Sequence, residues 1–543
     1  MFDRNLLMSK ARTDLTVEYQ ELSRLFAECL ELGVVQADDD FFELGGSSQS
    51  AVRLAAEIRR VFGLEVTIAD VFRHPSIRKL SAMLETIEPT AQPITRADRH
   101  GNLPVSFAQE RLWITDAFSG PNILYNVPLL IDLHGDLDVD ALSAAVGDVV
   151  GRHEALRTCI VMNDLDLHQV VLPPVAIGMR IVSSTTDTVR RDVLATASRP
   201  FDLSTGIPLR AELFKCGPDR HVLLLLIHHI AVDGWSLKAM VNDLGFAYTM
   251  RLAGAEPAWP PLPVQYADFT VWQRRMFDLD NPSENCLRHT AFWRATLDGM
   301  PEVTTMDTDR PRPAVRSHRG RQVEIVIDRA RHQALADFAR GKGLTVFVLV
   351  HAAIVVLLRL RNSGDDIAVG ATVAGRPDTA LENLIGFFVN TVILRVNLSG
   401  NPKISEVLQR VYQTDLTAMD HQEYPFNHAI ALLNPTRSMA YHPGIQILLA
   451  FQVGQLLPPR MPGLRAEVEQ FDLGIAKFDL TFDLTEYFEE SSLPDGIRGH
   501  LEFSTDLFDL STAESIVHDL DRLLGVIVHE PELCLDEVFA EGY

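Results

Sequence analysis

A break in composition at Ile87–Asn102 divides the chain into two parts that must fold separately. The stretch reads IEPTAQPITRADRHGN, with two prolines, two threonines and several charges but almost no large apolar residue. This is the composition of a linker. With 543 residues, the chain is long enough for several separately packed units. We therefore predict a first domain at residues 12–88 and a linker at residues 89–101.

The part before the break has the periodicity of amphipathic helices. Leu22, Leu25, Phe26 and Cys29 recur at the spacing of one helix face. A small bundle of this size is viable as an independent domain. We predict an all-α four-helix bundle, whose later helices cover Ala51–Phe62, Ile68–Phe72 and Ile77–Leu84.

A candidate modification site precedes the second helix, where Asp38–Leu54 reads DDDFFELGGSSQSAVRL. A serine at a helix start is most often only an N-cap. The stretch, however, resembles the phosphopantetheine attachment site of peptidyl carrier proteins, with the pattern D-x-F-F-x-L-G-G-x-S. The resemblance places the modified residue at Ser48, not Ser47, and implies a covalent 4'-phosphopantetheine added by a phosphopantetheinyl transferase. Gln49 departs from the family, which usually has leucine there.

The part after the break mixes helical stretches with strand-like runs, which predicts an α/β architecture. One run, His221–Ile230, has no polar alternation and is typical of a strand buried on both faces. It ends in His228 and His229, which point to opposite sides if the extended geometry persists. We interpret His228 as a core residue and His229 as the one that faces a cavity.

Two further residues follow these histidines closely. Asp233 lies so near an apolar run that burying it requires a cation or several hydrogen-bond donors. Gly234 permits a close backbone approach that a β-carbon would obstruct.

The stretch HHIAVDGWS is similar to the H-H-x-x-x-D-G-x-S motif of condensation domains from nonribosomal peptide synthetases. Other stretches resemble further motifs of that family, in the family's order. Two positions depart from it: Ile160 replaces the usual phenylalanine, and His442-Pro443 replaces an Asn-Pro pair. The further motifs are SFAQERLW (Ser106–Trp113), RHEALRT (Arg152–Thr158), YADFTVWQ (Tyr266–Gln273), IGFFVNTVILR (Ile385–Arg395) and HQEYPF (His421–Phe426).

This resemblance implies two chloramphenicol-acetyltransferase-like lobes arranged in a V, at residues 102–275 and 276–543. A tunnel between them would receive two carrier-bound thioesters. An acceptor amine would attack the donor thioester held at Ser48 and form an amide. The expected partners are an upstream adenylation domain and a downstream acceptor carrier protein, and the expected substrates are aminoacyl and peptidyl thioesters.

The resemblance also assigns roles within the tunnel. We expect His229 to orient the amine by hydrogen bonding and to accept a proton if it acts as a base. We expect Asp233 to form an ion pair with an arginine of the other lobe, with Arg376 as first candidate and Arg157 as second. The candidate catalytic set is His229, His228, Asp233 and Gly234.

Composition excludes several other functions. The chain has 73 acidic and 49 basic residues, a net charge of −24, which argues against a nucleic-acid partner. Five cysteines occur singly and without CxxC spacing, so we predict no metal site and no disulfide framework. No apolar stretch of membrane-spanning length and no signal peptide is evident, so we expect no membrane partner and a cytoplasmic location.

Three alternatives share this fold. An epimerisation domain also follows a carrier, but the family expectation there is a different first motif and no F-V-N-T segment. Heterocyclisation is disfavoured because those enzymes have aspartates in place of the paired histidines. A non-catalytic recruitment domain, which binds a tailoring enzyme, tends to lose the histidine motif, which is intact here.

Overall fold

The computed structural model describes residues 19–540 except 31, 47, 65, 86–92, 121, 164–165, 175–176, 305, 437 and 490–492. Residues 12–18 of the predicted first domain, residues 89–92 of the predicted linker, Ser47 and residues 541–543 lie outside the described part. Among the described residues, no single helix is long and apolar enough to cross a membrane; the helices Arg329–Lys342 and Val346–Leu360 reach that length and composition only when taken together, across a bend of 103°.

The N-terminal domain is the predicted helical bundle. Leu22, Leu25 and Phe26 are fully buried, and the Phe26 ring meets Phe41 edge-on at 5.3 Å. A β-carbon on Gly46 would lie 2.4 Å from the Phe41 ring, so only glycine fits beside it at this turn. The packing of Phe41 thus fixes where the second helix starts. The helices are α1 (19–30), α2 (Ser48–Phe62), α3 (Ile68–Arg73) and α4 (Ile77–Leu84).

The first lobe of the larger domain is built on a five-stranded sheet whose strands lie in the order β12 (Leu464–Gln470), β2 (Asn126–Gly135), β7 (Arg220–His228), β6 (Leu209–Lys215) and β5 (Arg180–Ser183). Strand β7 lies between β2 and β6, and its residues from Leu223 to Ile227 are at most 2% exposed, which explains its lack of polar alternation. A small sheet, β1-β4-β3, lies beside it. The elements are β1 (Leu103–Pro104), α5 (Phe107–Ser119), β2 (Asn126–Gly135), α6 (Val139–Arg152), β3 (Thr158–Asn163), β4 (Asp166–Val171), β5 (Arg180–Ser183), α7 (Val189–Ala197), β6 (Leu209–Lys215), β7 (Arg220–His228), α8 (Gly234–Leu252) and α9 (Tyr266–Met276).

The second lobe has a six-stranded sheet whose strands lie in the order β10 (Asn390–Asn397), β9 (Asp366–Val373), β11 (Ile447–Val453), β13 (Leu480–Phe488), β14 (Pro494–Ser504) and β8 (Gly320–Ile327). Helix α12 is almost entirely buried against it, because α13 and α15 cover the helix on its other sides. The elements are α10 (Glu284–Leu297), β8 (Gly320–Ile327), α11 (Arg329–Lys342), α12 (Val346–Leu360), β9 (Asp366–Val373), β10 (Asn390–Asn397), α13 (Ile404–Met419), α14 (Phe426–Leu433), β11 (Ile447–Val453), β12 (Leu464–Gln470), β13 (Leu480–Phe488), β14 (Pro494–Ser504), α15 (Leu510–His529) and α16 (Leu535–Ala540).

Strand β12 joins the two lobes. It pairs antiparallel with β2 over its whole length, from Leu464 opposite Gly135 to Gln470 opposite Leu129. The predicted boundary between residues 275 and 276 assigns β12 to the second lobe by position, whereas its hydrogen bonds place it in the first lobe's sheet. The hydrophobic pattern of the sequence contains no signal for this exchange.

Candidate active site between the two lobes

The two histidines separate where the central strand ends. Strand β7 stops at His228, and a short 3₁₀ turn, His229–Ala231, follows. His228 is 2% exposed, packs against Tyr125 and Phe201, and accepts a hydrogen bond from the Ile230 N–H through Nδ1 at 3.1 Å. Burial lowers the pKa of His228 to about 3, so the ring is a neutral part of the core.

His229 occupies a different environment. Its Nδ1 lies 2.7 Å from the Val232 carbonyl oxygen, which can only accept, so Nδ1 carries the hydrogen and Nε2 keeps its lone pair. The ring packs edge-on against Phe387 at 4.9 Å and stays partly exposed. Burial lowers the pKa of His229 to about 4, with a further contribution from the positive charge of Lys477. The site therefore presents a neutral imidazole with an available acceptor nitrogen.

Asp233 is the most densely bonded group beside this turn. Its carboxylate accepts hydrogen bonds from the N–H and hydroxyl of Ser236 at 2.8 and 2.7 Å, and from the Phe388 N–H at 2.9 Å. The Arg376 guanidinium pairs with both carboxylate oxygens at 3.0 and 3.2 Å. Because Asp233 is on the first lobe and Arg376 and Phe388 are on the second, this buried pair joins the lobes at the histidine turn.

Arg157 and Gly234 have different surroundings from those that the sequence predicts. The second candidate partner, Arg157, does not reach Asp233, because its guanidinium donates to the Leu172 carbonyl oxygen within the first lobe. A β-carbon on Gly234 would make only ordinary contact with the Gln452 side chain, at 3.5 Å. Packing alone thus does not require glycine at 234, and its missing side chain leaves room between the turn and strand β11.

Three of the sequence motifs meet at a single hydroxyl. Tyr266, which is 1% exposed, has its hydroxyl 2.8 Å from Ser106 Oγ and 2.7 Å from the Phe387 carbonyl oxygen. Phe387 is the residue whose ring packs on His229. The motifs beginning at Ser106, Tyr266 and Ile385 are therefore parts of one packed support behind the imidazole.

Family models match both parts of the chain. The condensation domain model matches residues 99–540, and the phosphopantetheine attachment site model matches residues 20–84. The chain belongs to the nonribosomal peptide synthetases, as a peptidyl carrier–condensation didomain. It is 42% identical over 541 residues to a "probable non-canonical nonribosomal peptide synthetase", CymA, of Salinispora arenicola, covering 99% of this chain and 7% of that protein. It is 40% identical to a dimodular nonribosomal peptide synthase of Bacillus subtilis, covering 96% of this chain and 22% of that protein.

The didomain thus spans less than a quarter of the length of these curated relatives. Among solved structures, it resembles the X-domain from teicoplanin biosynthesis, with 31% identity and a TM-score of 0.76 over 82% of this chain and 99% of that one. A complex of that X-domain with OxyB gives 32% identity and the same TM-score, over 82% of this chain and 98% of that one.

The carrier domain contains the phosphopantetheine attachment site. Ser48 is the first residue of α2 and follows a turn in which Gly45 has φ 100°, a conformation that glycine adopts without strain. Gly45 is exposed, so this corner of the bundle is open to solvent. These features fit the attachment of a long phosphodiester-linked arm. Among the residues with described placement, no cluster of histidine, cysteine, aspartate or glutamate could hold a metal ion.

The carrier packs directly against the condensation domain. Arg59 of α2 binds the Glu423 carboxylate at 3.1 Å and the Pro377 carbonyl oxygen at 2.9 Å, and Arg73 of α3 binds Asp420 at 3.1 Å. A groove of about 930 Å³, including the solvent at its mouth, runs between the domains and reaches Arg376 and Phe388. The carrier surface formed by the later part of α2 and by α3 thus faces the region that holds Arg376.

Two residues of the cleft have no signal in the sequence motifs. Gln452 of β11 faces Gly234, and Lys477, just before β13, has its Nζ 5.6 Å from the centre of the Tyr125 ring. Both belong to the second lobe and approach the histidine turn only in the folded chain. Lys477 follows a short apolar stretch, GIA, and precedes FDL, which reads as an ordinary strand start.

Proposed function

We propose that the didomain catalyses amide bond formation, in which the amine of an aminoacyl group on a downstream carrier attacks the acyl or peptidyl thioester held at Ser48. The observation that carries this proposal is the state of His229. Its tautomer is fixed by the Val232 carbonyl oxygen, and its Nε2 is an unprotonated acceptor in a cleft between the lobes.

His229 acts mainly by holding the amine. An α-amine has a pKa of about 7.7–8.0, so part of it is already neutral near pH 7. A neutral imidazole accepts a hydrogen bond from that amine and aligns its lone pair with the thioester carbonyl carbon. An imidazolium with a pKa of about 4 is a strong acid at pH 7, so His229 passes the proton on towards the leaving thiolate. Orientation of two tethered reactants supplies on the order of 7–11 kcal/mol in favourable cases.

Asp233, Gly234 and His228 are positioning residues in this proposal. The Asp233–Arg376 pair fixes the turn that carries His229, and His228 anchors the same turn through the Ile230 N–H. Gly234 leaves space between the turn and strand β11, which the reacting groups can use. The arm on Ser48 supplies the activated thioester, so no ATP is consumed in this step.

The carrier acts as the donor in this proposal. Its α2 and α3 lie on the condensation domain, and the groove beside them leads to Phe388, whose N–H donates to Asp233. The acceptor thioester then arrives on a separate carrier protein. We propose an adenylation domain as the source of the aminoacyl groups and a phosphopantetheinyl transferase as the source of the arm.

The test uses the full chain with Ser48 loaded from acyl-coenzyme A donors by a phosphopantetheinyl transferase. Aminoacyl carriers from a panel of amino acids are added, and intact-protein mass spectrometry identifies the carrier that gains the donor mass. His229→Ala should lower the rate at least 100-fold with both carriers loaded, and His228→Gln should reduce it less. Product formation by His229→Ala at the unsubstituted rate would refute the assignment.

Recruitment of a tailoring enzyme is the second candidate, because the X-domain of similar fold is found in a complex with OxyB. The intact histidine geometry favours catalysis. If no pair in the panel yields an amide and the chain binds an OxyB-type enzyme, recruitment replaces condensation. Epimerisation leaves the mass unchanged, so it is tested separately: an aminoacyl donor is hydrolysed from Ser48 without any acceptor, and chiral chromatography shows whether the released amino acid is inverted.

A further inference from the structure

Lys477 lies near the histidine turn in the folded chain, with Tyr125 between them. Its Nζ is 5.6 Å from the centre of the Tyr125 ring, and the Tyr125 carbonyl oxygen accepts the His229 N–H at 2.7 Å. The positive charge of Lys477 is close enough to lower the pKa values of both His228 and His229. Lys477 therefore approaches the histidine turn from the opposite lobe, across the Tyr125 ring.

The backbone of Lys477 is held on both sides. Its N–H donates to a carboxylate oxygen of Glu502 at 3.4 Å, and its carbonyl oxygen accepts from the Arg316 guanidinium at 3.0 Å. Only the four-carbon side chain is therefore free to adjust. The Lys477 ammonium can therefore move over a short distance while its backbone stays fixed, as a group that contacts a reacting atom must.

The ammonium group lacks a direct counter-charge. Within the described part of the chain, Nζ forms no ion pair within 4.0 Å; its close partner is the Tyr125 ring, and Glu502 and Asp483 act on it only from a longer distance. Burial lowers the pKa of Lys477 below its usual range, yet the residue keeps partial exposure, so it is not sealed inside a packed core. A buried ammonium whose close partner is an aromatic ring and not a carboxylate is costly, and such a group is found mainly where a ligand or transition state supplies the anion.

We propose that Lys477 is a catalytic residue, whose ammonium donates a hydrogen bond to the carbonyl oxygen of the donor thioester and to the alkoxide that forms on it. This inference rests on the proposed condensation function. As the C–N bond forms, the carbonyl π pair moves onto the oxygen beside Lys477. As the C–S bond breaks, that pair re-forms the carbonyl, the sulfur leaves with its bonding pair, and the amine proton passes by way of His229 to the thiolate.

The test compares single-turnover amide formation by the full chain at pH 8, with the donor and acceptor pair that it joins fastest. Lys477→Met removes the ammonium and keeps the length of the stem. We expect a rate loss of roughly 100- to 1,000-fold, as for the loss of one oxyanion donor, with an unchanged KM for the acceptor carrier. Lys477→Arg should recover at least tenfold. Lys403→Met, an exposed lysine paired with Glu532, is the matched control and should leave the rate unchanged.

The rate at pH 8 distinguishes direct stabilisation of the alkoxide by Lys477 from an indirect effect through the pKa of His229. If Lys477 acted only by lowering the pKa of His229, the deficit of Lys477→Met would vanish at pH 8, where the imidazole is neutral with or without it. A Lys477→Met rate within threefold of the unsubstituted chain at pH 8 would overturn the inference. Circular dichroism checks the fold, and Lys477→Gln replaces the methionine variant should that one unfold, with a loss of at least tenfold expected.

The two proposals fail differently. A fully active Lys477→Met beside an inactive His229→Ala overturns the oxyanion role and leaves condensation intact. Failure of the unsubstituted chain to join any pair overturns the condensation function itself.

Discussion

Replacing Asp233 with asparagine should destabilise the condensation domain by about 3–5 kcal/mol, the usual cost of breaking a buried ion pair. The Asp233 carboxylate is 2% exposed and accepts five hydrogen bonds, two of them from Arg376. An asparagine amide turns one acceptor oxygen into an NH₂ group that faces existing donors. The Arg376 guanidinium then keeps its charge in a buried place without a matching anion.

This loss of unfolding free energy corresponds to a fall in melting temperature. Unfolding entropy is about 2.1 cal/mol/K per residue, or roughly 0.9 kcal/mol/K for a domain of about 440 residues, so the expected shift is about 3–5 °C. Differential scanning calorimetry of the full chain measures it. Glu469→Gln is the matched control, because the Arg190–Glu469 pair also joins residues far apart in the chain but is half exposed. That variant should melt within about 1 °C of the unsubstituted chain. If Asp233→Asn melted as the control does, the pair would not stabilise the lobes as argued.

Three further predictions concern charge. Burial raises the pKa of Glu502 to about 7, so the folded chain binds an extra proton between pH 4.5 and 7 and loses stability as the pH rises through that range. Glu502→Gln should therefore raise stability on the order of 1–3 kcal/mol at pH 8 and not at pH 4, as melting curves across this range will show. With a His229 pKa of about 4, the condensation rate should follow the acceptor amine, rising up to tenfold per pH unit between pH 5.5 and 7. A titration near pH 6.5 that disappears in His229→Asn would contradict this prediction. Arg59→Glu should slow transfer from the attached carrier about five- to tenfold, and adding Glu423→Arg should bring the single-turnover rate back within twofold. Equal rates for the single and double variants would show that the contact has no role.

The sequence predicts local features of this molecule well. The run from Leu223 to Ile227 lacks polar residues because β7 is covered on both faces, and this is visible without coordinates. The opposite environments of His228 and His229 also follow from strand geometry, although the chain has already turned into a 3₁₀ helix at His229. The pairing of Asp233 with Arg376 follows from the cost of burying a carboxylate together with the family resemblance.

Features that depend on long-range packing could not be predicted in the same way. Gln452 of β11 and Lys477, in the segment before β13, reach the site from more than 200 positions along the chain, and neither residue type stands out in its local sequence. The contact of Arg59 with Glu423 depends on how two domains meet, which hydrophobic periodicity does not encode. The side chain of Arg157, the second candidate partner of Asp233, is used within its own lobe.

The exchange of β12 bears on how such synthetases can be recombined. A chimera joined between residues 275 and 276 would pair β2 with an edge strand from a different parent over seven residues, from Leu464 to Gln470. A graft that takes residues 464–470 from the same parent as the first lobe keeps the native hydrogen bonds between β12 and β2. Lys477 follows the end of β12 by only seven residues. A mismatched pairing of β12 with β2 would therefore displace Lys477 as well as the strand.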